Sequence, residues 1–158
     1  MRLVLAFALL ILPAAAMAQR DVPVPARCTS SVNQNLFNLL GTGRKGDVDN
    51  VMVCGVTSRP SYTQHGGSHG SHEILPLLVK MPDGGTQAVE VVINDDLDGV
   101  VTAPADASVF AFGQAFFPSR GRYVAGIHDV HCSTHRGADN GWVVVNGVKH
   151  PPTCQRSY

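Results

Sequence analysis

Apolar and polar positions change their period along the chain. Residues 3–12 form an unbroken apolar run of about ten residues, the length of a signal-peptide core and too short to span a bilayer. Val32, Leu36, Phe37, Leu39 and Leu40 then recur at helical spacing, with Ser30 or Ser31 available as a cap and Gly41 and Gly43 as a stop. From Asp49 the pattern becomes that of strands. β-rich runs cover residues 51–56, 74–81, 89–93, 108–117, 123–129 and 142–145. Pro82-Asp83-Gly84-Gly85 joins the second and third as a hairpin. Asn146-Gly147 is the preferred pair for a two-residue type I′ turn, so Val148, Lys149 and His150 fold back on the last run. Pro76 inside the second run predicts an edge or a bulge, and residues 57–71 read as a long Gly/Ser/His loop. Residues 94–99 predict a turn or a single helical turn. One short N-terminal helix and five or six turn-delimited strands predict a mainly β fold, a small OB-like barrel.

The apolar run follows Met1-Arg2 and ends at Pro13, and Ala16-Met17-Ala18 places small residues where a signal peptidase reads them. The expected organisation is a signal peptide over residues 1–18, a leader and short helix over 19–48, and the barrel over 49–158. No later stretch is long enough to cross a membrane as a helix. The full sequence of 158 residues carries 12 basic and 12 acidic residues. Loss of Arg2 leaves 11 against 12, a net charge of −1. Such a charge argues against a nucleic-acid binder that works through a strong basic field, and the chain has no contiguous basic-aromatic stripe. The mature length of about 140 residues suffices for a sizeable core.

Cys28, Cys54, Cys132 and Cys154 all survive cleavage. An even count in an exported small domain reads as two disulfides. Three pairings are open. The expected one joins Cys28 to Cys54 and Cys132 to Cys154, each closing a loop of roughly 20–30 residues at about 3 kcal/mol in the chain-entropy model. No C-x-x-C pair is present to favour zinc on the cysteines.

Candidate chemistry lies with seven histidines. His65, His69 and His72 share one segment, His128, His131 and His135 another, and His150 stands apart. Three imidazoles and a water make a catalytic zinc site. Alternation along a strand opposes it, because His128 and His131 face opposite sides unless the strand ends or bulges near Asp129. Residues 66–70 match G-x-S-x-G but lack the strand and helix of a nucleophile elbow. Residues 94–99 resemble the first half of a calcium loop, but the twelfth position is Ala105 where glutamate is needed, so a solvated turn or helix cap is expected.

From about Val53 to His150 the chain resembles a family of small exported bacterial proteins of unknown function with an OB-like barrel. The likeness rests on Gly55-x-Val, His72, Val91-x-Ile93-Asn94-x-x-Leu97, Gly113, Gly126-Ile127-His128-Asp129-x-His131 and Gly141-Trp142-Val143-x-x-Asn146-Gly147. It covers roughly two thirds of the mature chain. The resemblance implies that His72, His128 and His131 are the histidines to weigh, with Trp142 in core or barrel-end packing. The family usually shows a second histidine after the one matching His131; Cys132 stands there here, which favours a local disulfide. The family brings no activity with it.

These readings converge on an exported, periplasmic or extracellular, disulfide-stapled barrel that binds an unidentified small-molecule or envelope ligand. His72, His128, His131 and Asp129 are expected to line one end of it. The alternatives are a zinc-dependent hydrolase built on those three histidines, with a bound water of pKa about 7, and a structural envelope protein without a site.

Overall fold

The computed structural model of the chain describes residues 20–66, 70–134 and 138–154. The expected signal peptide, His69, His135 and the serine of the G-x-S-x-G match lie outside these residues. After a 3-10 turn, Ser30–Asn33, come α1 (Gln34–Gly41), β1 (Val48–Thr57), β2 (Tyr62–His65), β3 (Ser71–Lys80) and β4 (Thr86–Asn94). They are followed by α2 (Asp95–Asp98), β5 (Ser108–Phe116), β6 (Ala125–His128), β7 (Trp142–Val145) and β8 (Val148–His150).

Five strands close a barrel in the order β1-β3-β4-β6-β5, with β5 returning to β1. The pairs are antiparallel except β4 with β6, which is parallel. A single parallel pair within a five-stranded Greek-key barrel is the OB-like arrangement that the strand pattern predicts. β7 continues the edge of β5 beyond β6, and β8 returns along it through Asn146 and Gly147. Both turn residues have positive φ, 48° and 87°, as a type I′ turn demands.

Alternation sets the core. Leu75, Leu77 and Val79 of β3 point inward and are fully buried, while Leu78 and Lys80 are exposed. Val51, Val53, Val89, Val91, Ile93, Val109, Ala111, Ile127 and Val143 complete the interior. The opposite face of β5 and β7 carries a second, smaller core of Phe112, Trp142 and Val144. The N-terminal leader covers this core: Val22 and Val24 pack on it, and Trp142 Nε1 donates to the Val22 carbonyl at 2.8 Å. The leader is thus a strap, held also by a bridge from Asp21 to Asn140 and by Arg20 on Asp139.

The helix is fixed by one buried amide. β1 and β3 pair only at Val56–Leu78 and Thr57–Leu77. Beyond that register Asn33 fills the gap: Cys54 N–H donates to its Oδ1 at 2.7 Å, and its Nδ2 donates to the carbonyls of Cys54 and Lys80 at 3.1 and 3.0 Å. The Cys28–Cys54 disulfide ties down the same spot, and Cys132–Cys154 secures the C-terminal end. Neither Ser30 nor Ser31 caps the helix as expected; their turn begins at Thr29, whose hydroxyl instead meets that of Ser31 at 2.8 Å.

Two further expectations are corrected. The stretch 57–71 is not all loop, because residues 62–65 pair with residues 71–74 as β2. Pro76 is neither at an edge nor in a bulge. Its carbonyl accepts from Ser58 N–H, so its ring nitrogen faces the short gap where β1 ends and β2 has yet to begin. The missing N–H therefore removes no ladder bond.

Candidate functional site

Two polar regions compete as a site. The first gathers around Asp129. β6 ends at His128, and Asp129 adopts a left-handed backbone, φ 53°. The reason lies in two glycines. A Cβ on Gly113 would strike the His128 carbonyl and come within 3.1 Å of the Asp129 carbonyl. One on Gly141 would strike the Asp129 carbonyl and lie 3.0 Å from both His131 N and the Phe112 carbonyl. The chain crosses between them, which accounts for both glycines in the motif.

The break in the strand lets residues three apart meet. His128 Nδ1 lies 3.4 Å and His131 Nε2 3.7 Å from the same Asp129 Oδ1. His131 Nδ1 faces the Cys132 carbonyl at 3.0 Å, and since a carbonyl only accepts, that nitrogen holds the proton. Its Nε2 is the one left to face Asp129. The Phe116 ring stands edge-on to His128 at 5.3 Å. Asp98 comes close from α2: burial raises its pKa first, nearby Asp129 and Asp95 add to this, and His131 opposes it. The cavity beside Asp129 and His131, lined also by Asn50, Gly113 and Gln114, is about 10 Å³, room for about one water and for no substrate.

His72 does not join them. It sits on β3 between Gln64 of β2 and Asn94 of β4, with its ring against the turn at Gly66. Among the described residues no group of three or more His, Cys, Asp or Glu is placed to hold a metal ion. The zinc set expected of His72, His128 and His131 is therefore not assembled: two of the three are drawn to Asp129, and the third is held on another strand. Trp142 is buried to 1% under the leader and faces no cleft. Residues 94–98 serve as the expected helix cap, with Asn94 Oδ1 accepting from the N–H groups of Asp96 and Leu97.

The second region is an open cleft of about 410 Å³. Its walls come from two segments distant in sequence. Arg59 and Tyr62 stand where β1 passes into β2; Pro118 stops β5, and Arg120, Gly121, Arg122 and Tyr123 lead into β6. Glu90 of β4 reaches the same space from the outer face of the barrel, since Val89 and Val91 on either side point inward. The Arg59 guanidinium lies over the Tyr62 ring, 4.5 Å from its centroid, and that of Arg122 lies 5.9 Å from the Tyr123 ring.

The cleft holds three guanidinium groups and one carboxylate, and none forms an ion pair among the described residues. The Tyr123 hydroxyl is enclosed there without a hydrogen bond of good geometry. Its proximity is still felt, for it is the main influence raising the Arg59 pKa. Burial raises the Tyr62 hydroxyl first, and the Tyr123 hydroxyl adds to it. Burial alone raises Glu90. Sequence reasoning treats the Arg120 segment as a plain turn and Arg59 as part of a loop. The available signal was Arg59-x-x-Tyr62 and Arg120-x-Arg122-Tyr123, and only the barrel's topology unites the two.

No family model, no curated protein and no solved structure matches this chain.

Proposed function

We propose that the protein is an exported binding module and that its ligand enters the Arg59/Tyr62/Tyr123 cleft. The carrying observation is a ligand-sized space lined by charged and hydroxyl groups that make no ion pair with one another. Small-molecule sites usually occupy about 300–1,000 Å³ and fix orientation through a few convergent polar groups. The cleft is in that range. The barrel beneath it is a closed sheet, β5 returning to β1, and the two disulfides tie its N-terminal leader and C-terminal tail to it. Export is supported by the two disulfides, which fit an oxidising compartment, together with the N-terminal apolar run.

A fragment screen followed by amide chemical shifts tests this reading. Hits are expected to perturb residues 59–62, 90 and 118–123 together. Hits that perturb only residues 128–131, or that spread over the surface without focus, would overturn it. The N-terminus of protein recovered from its native compartment tests export: it is expected at Gln19, and a retained Met1 would contradict it.

A further inference from the structure

We infer that the cleft takes an acidic saccharide, a hydroxylated ring bearing a carboxylate or phosphate group. The inference rests on the binding-module reading and names the ligand for that same cleft. Arg59, Arg120 and Arg122 contribute three positive charges against the single carboxylate of Glu90, so the cleft is cationic on a chain whose formal net charge is +0. A planar guanidinium matches a carboxylate or phosphate through two parallel N–H donors, which a hydrated lysine cannot imitate. All the cleft's cations are arginine.

An anion alone leaves the rest of the lining without use. Tyr62 and Tyr123 line the same cleft, the first ring under the Arg59 guanidinium and the second beside that of Arg122, and bring aromatic surface to a second part of the ligand. Glu90 can only accept while ionised, and the hydroxyls of a sugar are donors that suit it. A bare phosphate or acetate reaches the arginines and ignores both features. A polynucleotide needs a basic track that follows its backbone and a succession of stacking faces. This cleft has two tyrosines and a volume of about 410 Å³, space for one or two rings.

Calorimetric titration of the full mature protein with D-glucuronate, glucose 6-phosphate, D-glucose, inorganic phosphate and a short oligothymidylate tests the inference. One or both acidic sugars are expected to bind about tenfold or more tighter than glucose and than phosphate, since a charge-assisted pair is worth about one decade or more. The better of the two identifies the anion as carboxylate or phosphate. Arg120→Ala and Arg122→Ala, both on an exposed loop, are each expected to weaken binding by about tenfold. Glucose binding as well as the acidic sugars would overturn the inference. So would phosphate binding as well as glucose 6-phosphate, the oligonucleotide binding tightest, or either arginine variant binding normally. If no sugar binds while screened fragments still perturb residues 59–62 and 118–123, the ligand class fails and the site stands. If fragments avoid the cleft as well, both fail.

Discussion

The Asp129 cluster and the arginine–tyrosine cleft are both polar, and they differ in what their groups already do. Asp129 faces two imidazoles, His131 is committed to the Cys132 carbonyl, and the backbone between them is clamped by Gly113 and Gly141. Little space adjoins Asp129 and His131, although His128 Nε2 and one oxygen each of Asp95 and Asp98 are enclosed without a hydrogen bond. In the cleft, by contrast, three guanidiniums, a half-buried carboxylate and an enclosed hydroxyl surround open space, with no ion pair among the described residues. Groups drawn together with no room for a ligand specify a fold; charged groups ranged around a space of ligand size specify a partner. Titratable residue type, which made the histidines conspicuous, is a weaker guide to function than whether those residues border a space that a ligand could enter.

The comparison breaks most sharply at the glycines. Gly141→Ala forces a methyl group onto the Asp129 carbonyl and is expected to cost about 3 kcal/mol or more, read from chemical denaturation. Gly121→Ala in the cleft loop meets nothing within 4 Å; its φ of 117° makes the cost about 1–2 kcal/mol of backbone strain. Equal costs would remove the contrast between a clamped and an open region. Removing the Cys132–Cys154 disulfide, as the double serine variant, is expected to cost about 3 kcal/mol and to loosen the segment that follows His131. Loss of stability with no change in the His131 environment would show that the disulfide and the cluster are independent.

A smaller effect concerns pH. The Asp98 carboxyl is raised by burial, so the stability linked to its protonated form is present at acid pH and is lost as pH rises through its folded pKa. Asp98→Asn is therefore expected to raise Tm relative to the parent above the carboxylate range, with the difference closing in acid. A difference independent of pH would contradict the burial argument. Smallest of all, Arg120→Ala and Arg122→Ala are expected to change stability by no more than about 0.5 kcal/mol, because these side chains are exposed and form no ion pair among the described residues.

Much of the fold was legible because burial writes itself into local pattern. Alternation in β3 and β4, the Asn146-Gly147 turn and the helical spacing of Leu36 and its neighbours each announce an element. β2 was hidden, since Tyr62, Thr63, Gln64 and His65 are mostly exposed and carry no alternation of hydrophobicity. Asn33 was hidden too: its role depends on a gap between β1 and β3 that exists only after the barrel closes. The same limit governs the site. The expected break near Asp129 could be reasoned from strand parity and does bring His128 and His131 to one carboxylate. The position of His72 relative to them depends on which strands neighbour β3, and no local pattern carries that. Arg59 and Arg122 meet only through the same long-range topology.

The central claim is that binding belongs to the cleft and not to the histidines. It is tested most directly by titrating the tighter-binding of D-glucuronate and glucose 6-phosphate into the Arg59→Ala/Arg122→Ala double variant and into His131→Ala, side by side with the parent. Loss of binding in the arginine variant, with the histidine variant binding like the parent, is the predicted result. Binding that survives in the arginine variant and disappears in His131→Ala would contradict the account.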